Sequence, residues 1–182
     1  STEHMSGTDR IAEAAKYLDF DSIINVQADE PFINPKLIEE LFVLLDDQEV
    51  NIVTACERIL NYDDLFDPNI VKVVKDNRNF ALYFSRSCIP FIQNTSKLSK
   101  SKMNFLNKSK FFKHIGIYGY KKNFLIKYST LNLSDLEKIE KLEQLRVMQN
   151  GYKIKILETK YKSLGIDTED DYNKALSMLK SI

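Results

Sequence analysis

The chain has 182 residues, which suffices for one domain with a substantial hydrophobic core but is short for two. Its 26 basic and 26 acidic side chains give a formal net charge of zero, so no overall field attracts nucleic acid or an anionic membrane. No apolar run is long enough to cross a membrane, and no basic and then apolar signal opens the chain. We therefore expect a cytoplasmic protein without a nucleic-acid or membrane partner, in which Cys56 and Cys88 are buried free thiols.

The first residues predict a loop that leads directly into a helix. Thr8 is placed to cap that helix, whose apolar residues recur at helical spacing through Leu18. Ser6 and Gly7 would then present backbone amides at a helix N-terminus, where a phosphate or the polar edge of a base can bind. Capped helices that follow a glycine are also common without a ligand, so both interpretations stay open. Since no strand precedes this helix, we expect the chain to begin within a domain.

Residues 23–26 form a short apolar run that is soon followed by Asp29, Glu30 and Pro31. Such a run predicts a buried strand, and the acidic residues mark the point at which the strand reaches the surface. In open α/β sheets, ligands bind at the carboxyl ends of strands. Asp29 is therefore a candidate metal ligand, and the alternative is an ordinary polar turn.

The next segment predicts a helix, a strand and a hairpin, in that order. Asn34 and Pro35 begin the helix, whose leucine- and isoleucine-rich face would pack in the core. The β-branched run at 50–55 predicts a buried strand. Residues 70–75 and 80–84 predict two antiparallel strands joined by a polar turn, which would add an antiparallel arm to the sheet.

Two basic features follow this arm. Arg86 lies at its exit, where the guanidinium is either a solvated charge or a bidentate ligand for a carboxylate. Residues 94–113 contain lysines scattered among serine and asparagine. A solvated loop explains these lysines better than a nucleic-acid site, because they show no regular spacing and few interleaved aromatic residues.

The segment 113–120 follows the two-residue period of a strand, with Ile115 and Ile117 facing the core. The opposite face carries His114, Gly116, Tyr118 and Tyr120. Because a glycine separates the imidazole from the first phenol, a ligand has room to lie between them. The alternative is a buried histidine packed beside tyrosines.

Ser134 and Glu137 form a capping box, which predicts a helix that ends near residues 150–151. Glu143 and Gln144 lie side by side on this helix, opposite the two flanking leucines. A solvated helix face accounts for this pair without any ligand.

Residues 152–157 predict an edge strand with lysines facing outward. A shorter strand at 164–166 ends in Asp167, and the last helix begins after it with an acidic capping box. Asp167 thus occupies the same kind of position as Asp29. Two aspartates at two strand ends of one sheet could share a Mg²⁺ ion, which binds carboxylates, waters and phosphate oxygens.

Six segments resemble, in the same order, motifs of the 3-deoxy-manno-octulosonate cytidylyltransferases, also called CMP-Kdo synthetases. They are residues 6–10, 26–31, 81–86, 114–120, 142–146 and 165–170, which read SGTDR, VQADEP, ALYFSR, HIGIYGY, LEQLR and GIDTED. Because the motifs keep their order across nearly the whole chain, the resemblance is specific.

The resemblance implies the Rossmann-like nucleotidyltransferase fold, also termed the nucleotide-diphospho-sugar transferase fold. This is an α/β fold in which a mixed sheet carries an antiparallel dimerisation arm. Residues 1–182 would form a single cytidylyltransferase domain, and the protein would be a homodimer. The implied reaction transfers CMP from CTP to 3-deoxy-D-manno-octulosonate (Kdo) and releases pyrophosphate, with Mg²⁺ as the cofactor. The product, CMP-Kdo, would serve lipopolysaccharide biosynthesis in a Gram-negative bacterium.

The motif positions imply roles for individual residues. The catalytic metal ligands would be Asp29 and Asp167. The nucleotide would contact Ser6, Gly7 and Gln27. The sugar acid would be held by Arg86, His114, Tyr118, Glu143 and Gln144, with Arg86 as the natural partner of its carboxylate.

One departure from the family concerns the start of the chain. The family begins with a strand and a basic loop that wraps the triphosphate, and this sequence has no counterpart for them. We therefore expect the N-terminal βα units to be missing and the 182-residue chain alone to be inactive. Two alternatives stay open. One is a related nucleotidyltransferase for another acidic sugar, and the other is a non-catalytic fragment that keeps only the sugar-binding and dimer surfaces.

Overall fold

The structure is a computed structural model, and it describes residues 7–28, 30–93, 106, 110–161 and 169–179. The strands are β1 Ser22–Val26, β2 Ile52–Arg58, β3 Lys72–Lys75, β4 Ala81–Ser85, β5 Phe112–Lys121 and β6 Lys155–Thr159. The α-helices are α1 Gly7–Ala15, α2 Pro35–Leu45, α3 Lys122–Tyr128, α4 Asp135–Glu140, α5 Gln144–Gln149 and α6 Glu169–Leu179, and a 3-10 turn spans Asp63–Leu65. The strand predicted at 164–166 and most of the lysine-rich segment lie outside the described residues.

Strand β5 is the centre of the sheet. β2 pairs with it antiparallel along one edge, while β1 and β3 pair antiparallel with the two ends of the other edge. β4 extends the sheet from β3 as an antiparallel hairpin, and β6 lies parallel beside β2. The order β4-β3-β5-β2-β6, with β1 also on β5, is a mixed sheet. The predicted α/β class with a mixed sheet and an antiparallel arm is therefore confirmed.

Helix α2 covers one face of the sheet and begins where the sequence predicts. The Asn34 side chain accepts a hydrogen bond of 3.0 Å from the backbone N–H of Lys36, and Pro35 is the first helical residue. Its core-facing side chains are Leu37, Leu41 and Leu45, each at most 2% exposed, and they belong to the same cluster as Ile115 and Ile117 of β5. Burying each of these aliphatic side chains contributes about 1.5–3 kcal/mol, which fixes this face of β5 toward the core.

The opposite face of the sheet packs against α1, α3 and α5. Tyr118 and Tyr120 of β5 lie on this face, within a cluster that includes Phe124 and Leu125 of α3. The predicted alternation along β5 is therefore confirmed. No helix in the described part of the chain has the length and apolar character needed to cross a membrane.

The β3–β4 hairpin closes through the carboxylate of Asp76. Its Oδ1 accepts hydrogen bonds of 2.8 Å from the backbone N–H groups of Arg78 and Phe80. Asn79 adopts a left-handed φ of 60°, a conformation that asparagine tolerates better than most residues. The predicted hairpin turn is confirmed.

Three strands begin two or three residues later than the sequence predicts. The reason is the same each time, because the first residue of each predicted strand closes a turn. The backbone N–H groups of Val50, Ile70 and Tyr152 bond to the carbonyls of Asp47, Asp67 and Val147 at 3.1–3.2 Å. β2, β3 and β6 start only after these turns end.

The prediction of a single continuous helix after Ser134 is wrong, because two helices lie there. The capping box with Glu137 is present, but Lys141 adopts a left-handed φ of 57° and separates α4 from α5. Such a conformation costs a residue with a side chain about 1–2 kcal/mol. Burial of Leu142 and a 2.8 Å bond from the Lys141 N–H to the Glu137 carbonyl offset this cost.

The two cysteines are free thiols in different surroundings. Cys56 is buried in β2, and burial raises its pKa to about 12, so it stays protonated and unreactive. Cys88 is half-buried after β4. The predicted burial is confirmed for Cys56 and is wrong for Cys88, because Cys88 follows the arm instead of lying in a central strand.

Candidate functional site

A cavity of about 460 Å³ opens on the sheet face that carries Tyr118 and Tyr120. β5 forms its floor. Its walls come from the carboxyl end of β1, the segment before β3, the exit of β4, the first turn of α1 and the α4–α5 junction. The cavity thus lies where an open α/β sheet binds its ligands.

This cavity collects most of the residues for which the sequence predicts a binding role. Those that line it are Gln27, Arg86, His114, Tyr118, Glu143 and Gln144. Gly7 is exposed at the start of α1, and its neighbour Thr8 lines the cavity instead. The remaining predicted residues, Ser6, Asp29 and Asp167, lie outside the described residues. The roles of all these residues stay predictions.

The floor of the cavity has an open place at Gly116. A Cβ built there would lie 3.7 Å from Glu30 Oε1 and 3.8 Å from Gln27 Cδ, which are ordinary contact distances. A glycine therefore leaves room for about one methyl group below these two side chains. Gln27 and Glu30 flank Asp29 in the chain, and both line the cavity.

His114 stands on the floor between two aromatic rings. Its ring centroid lies 5.3 Å from that of Phe84 and 5.2 Å from that of Tyr118, and its Nε2 lies 2.8 Å from Thr54 Oγ1. Burial lowers the pKa of His114 from 6.5 to about 3. The imidazole is therefore neutral at physiological pH and offers a hydrogen bond without a charge.

The depressed pKa of His114 predicts a specific dependence of stability on pH. The unfolded chain takes up a proton near pH 6.5 but the folded protein only near pH 3, so stability falls as pH drops through this window. In His114→Gln we expect the free energy of unfolding to fall less steeply as the pH drops, by up to about 1 kcal/mol per pH unit. Urea unfolding of both proteins at pH 7.0, 5.5 and 4.5 measures the effect, and parallel pH profiles would contradict it.

Tyr118 contributes a buried hydroxyl to the same floor. The residue is 8% exposed, and within the described residues its hydroxyl has no hydrogen-bond partner. Burial raises the pKa of Tyr118 well above 10, so the hydroxyl keeps its proton and can donate it in a hydrogen bond. An unpaired buried hydroxyl is costly, and a polar ligand in the cavity would satisfy it.

The α4–α5 junction turns Glu143 and Gln144 toward the cavity, and the predicted solvated helix face is wrong for one of them. Gln144 is 7% exposed, whereas Glu143 is exposed at the start of α5. Thr8 donates a 3.0 Å hydrogen bond to Glu143 Oε2, so Thr8 joins α1 to this junction. The predicted capping role of Thr8 is also wrong, since α1 already begins at Gly7. Desolvation raises the pKa of Glu143, while the Thr8 hydroxyl lowers it.

Arg86 is held at the cavity by carbonyl oxygens. Its Nε donates to the Glu140 carbonyl at 3.2 Å, and its Nη1 donates to the Pro68 carbonyl at 2.9 Å. The backbone N–H of Arg86 also donates to Glu140 Oε2 at 3.1 Å. Among the described residues nothing accepts from Nη2, so that part of the guanidinium can bind an anionic ligand.

Lys72 fixes the backbone of Arg86, and nothing in the sequence pattern signals this role. The lysine is fully buried, and its ammonium donates to the carbonyls of Asp67, Ile70 and Arg86 at 2.7, 2.5 and 2.5 Å. Burial lowers the pKa of Lys72, and three carbonyl acceptors replace the lost water. The ammonium thereby ties the segment before β3, which carries the cavity residue Asn69, to the exit of the arm.

Similarity to known proteins defines the class to which this fold and cavity belong. A family model described as cytidylyltransferase matches residues 1–156. A solved structure described as CMP:2-keto-3-deoxy-manno-octonic acid synthetase complexed with CTP superposes with a TM-score of 0.85 and 36% identity. The superposition covers 98% of this chain and 70% of that one. The chain is therefore a cytidylyltransferase with the nucleotidyltransferase fold predicted above.

Curated relatives place the chain more narrowly. The 3-deoxy-manno-octulosonate cytidylyltransferase of Trichlorobacter lovleyi is 44% identical over 181 residues, which are 99% of this chain and 72% of the relative. That of Francisella tularensis subsp. novicida is 48% identical over 177 residues, which are 94% of this chain and 69% of the relative. The chain belongs to the 3-deoxy-manno-octulosonate cytidylyltransferase family, which confirms the resemblance found in its motifs.

Proposed function

We propose that the protein transfers the cytidylyl group of CTP to Kdo, giving CMP-Kdo and pyrophosphate for lipopolysaccharide biosynthesis. The observation that carries this proposal is the convergence of six predicted binding residues, from four separate parts of the fold, on one cavity. Membership of the family supplies the reaction class. The cavity supplies an arginine for the acid group of the sugar and neutral polar groups for its hydroxyls.

The reaction needs the sugar acid held in one orientation. The sugar carboxylate would accept a hydrogen bond from Nη2 of Arg86, the guanidinium nitrogen from which nothing among the described residues accepts, because charge-assisted hydrogen bonds of this kind are strong. Sugar hydroxyls would bind to Gln144, Tyr118 and neutral His114, and another hydroxyl would donate a hydrogen bond to Glu143. A sugar hydroxyl would then attack the α-phosphorus of CTP and lose its proton as the bond to the departing pyrophosphate breaks. Holding the sugar this way lowers the barrier by orientation.

Mg²⁺ is proposed as the cofactor, with Asp29 and Asp167 as its ligands. Within the described residues no cluster of three or more histidine, cysteine, aspartate or glutamate side chains could hold a metal. Gln27 and Glu30, which lie on either side of Asp29 in the chain, line the cavity, and two aspartate carboxylates would fit the preference of Mg²⁺ for hard oxygen ligands. When bound, Mg²⁺ would neutralise charge that develops on the phosphates.

The function is tested by pyrophosphate release from the full-length protein. We expect release with CTP, Mg²⁺ and Kdo, and at least about a hundredfold lower kcat/KM with N-acetylneuraminate, because buried polar groups of a matched site are left unpaired by the wrong sugar. Omission of Mg²⁺ and replacement of CTP by UTP are the controls. Equal turnover with both acids would favour a nucleotidyltransferase for another acidic sugar, and no binding of CTP would favour a non-catalytic protein.

We also propose that residues 1–182 belong to a single cytidylyltransferase domain that forms a homodimer in the cytoplasm through the arm. Leu82 on β4 is 59% exposed and Phe91 beyond it is 87% exposed, so the arm presents apolar side chains to solvent. Sedimentation equilibrium should give twice the chain mass for the natural protein. Leu82→Lys with Phe91→Lys should shift it toward the monomer, whereas Leu60→Lys, at another exposed leucine, should not. A wild-type monomer would overturn the proposal.

A further inference from the structure

Thr54 is a fully buried polar residue at an irregular point in the pairing of β2 with β5. It lies opposite Tyr118, but the next residue, Ala55, lies opposite Ile115, so β5 bulges between these two positions. The Thr54 hydroxyl lies 2.7 Å from the carbonyl oxygen of Ile117 and donates its proton there. Thr54 does not line the cavity, yet it contacts a residue that does.

This hydroxyl decides which nitrogen of His114 carries the proton. A threonine hydroxyl has one hydrogen, and here the Ile117 carbonyl accepts it. The 2.8 Å contact between Thr54 Oγ1 and His114 Nε2 therefore has the imidazole N–H as its donor. The reverse assignment would bring two oxygen lone pairs together at 2.7 Å. His114 is thus the Nε2–H tautomer, and its Nδ1 is an acceptor.

The cavity floor then presents a matched pair of polar atoms. The Nδ1 of His114 can accept a hydrogen bond, and the hydroxyl of Tyr118, which has no partner among the described residues, can donate one. The two rings lie 5.2 Å apart, centroid to centroid. A sugar hydroxyl both donates and accepts, so it satisfies both atoms. A carboxylate only accepts, so it cannot pair with Nδ1 and is left to Arg86.

We propose that Thr54 is a positioning residue of the sugar site, which fixes the His114 tautomer so that His114 accepts a hydrogen bond from a sugar hydroxyl. The inference rests on the proposed function for the identity of the sugar. Thr54 would thus act on the sugar through His114 without touching it. The floor of the cavity would bind sugar hydroxyls, and Arg86 would bind the carboxylate.

The tautomer is measured directly by NMR of the full-length protein labelled with ¹⁵N at histidine. Long-range ¹H–¹⁵N correlations distinguish the two tautomers, and the His114 signals are those that disappear in His114→Gln. We expect the Nε2–H pattern in the wild type and in Thr54→Ser, and its loss in Thr54→Val. Thr159→Val is the matched control, because Thr159 is also buried in a strand but its Oγ1 accepts from the Tyr161 N–H, away from the cavity.

Kinetics measure the consequence for binding. Thr54→Val should raise the KM for Kdo about tenfold, the equivalent of one hydrogen bond, and change kcat by less than about threefold. Thr54→Ser should keep the KM within about threefold of wild type, because it retains the hydroxyl. Thr159→Val should do the same.

A proton on Nδ1 of wild-type His114 would overturn the proposal, as would Thr54→Val with an unchanged tautomer and KM. If Thr54→Val does not fold, the wild-type and Thr54→Ser spectra decide between the two tautomers. The spectra need no substrate. If the wild-type protein shows no turnover with Kdo, the proposed function is overturned, but the spectra still determine the His114 tautomer.

Discussion

Asp29→Asn is expected to lower kcat by at least about three orders of magnitude while the protein stays folded. Asparagine keeps the size and hydrogen-bonding shape of aspartate but removes the negative charge that a divalent cation requires. Gln27 and Glu30, which lie on either side of Asp29 in the chain, both line the cavity. Asp167→Asn is expected to act in the same way, because both aspartates would share one ion.

The measurement is steady-state pyrophosphate release by the full-length protein over a range of Mg²⁺ concentrations, with thermal unfolding as a check on the fold. Asp19→Asn is the control, since Asp19 is an exposed residue in the segment between α1 and β1. Wild-type turnover in Asp29→Asn or in Asp167→Asn would remove that aspartate from the metal site.

The second large effect concerns stability, and it arises from Arg146. We expect Arg146→Met to lower the free energy of unfolding by about 3–5 kcal/mol, because it leaves the Glu137 carboxylate buried without a cation. Arg146 is 3% exposed and Glu137 is 8% exposed, and two hydrogen bonds of 2.8 and 2.6 Å join them. The guanidinium also lies 5.0 Å from the Tyr128 ring centroid and 3.6 Å from Asp9 Oδ1. One side chain thus links α1, α3, α4 and α5.

Urea unfolding of the wild type and variants tests this prediction. Arg78→Met is the matched control, because Arg78 also pairs with a glutamate, at 2.7 Å, but both side chains are about two-thirds exposed. Such a pair contributes at most about 1 kcal/mol. The double variant Arg146→Met with Glu137→Leu should recover part of the loss, since no buried charge then lacks a partner. A loss below about 1 kcal/mol in Arg146→Met would contradict the stabilising role of the buried Arg146–Glu137 pair.

Much of the fold could be predicted because it depends on local patterns. Strict alternation placed Ile115 and Ile117 toward α2 and the tyrosines toward the cavity, and hydrophobic burial alone fixes that choice. The α2 cap and the polar turn of the arm also follow from side chains that bond to nearby backbone groups. These features need no knowledge of distant parts of the chain.

The features that sequence reasoning missed depend on distant partners. The bond from Thr8 to Glu143 spans 135 residues, so the capping interpretation of Thr8 had no competitor in the local sequence. The left-handed Lys141 has no glycine or asparagine to announce it, and the helix breaks there because Leu142 and Gln144 gain burial. The motifs therefore identify the cavity residues, but they do not predict how these residues are arranged in space.

The buried ammonium of Lys72 has a consequence for cooperativity. The Lys72 ammonium bonds to carbonyls on both the segment before β3 and the exit of β4. If either segment moved away, the buried charge would lose a hydrogen-bond acceptor, which is costly. The antiparallel arm and the wall that holds Arg86 therefore open as one unit. A partner bound to the arm would therefore also restrict motion of the cavity wall. Conversely, a ligand bound at Arg86 would restrict motion of the arm.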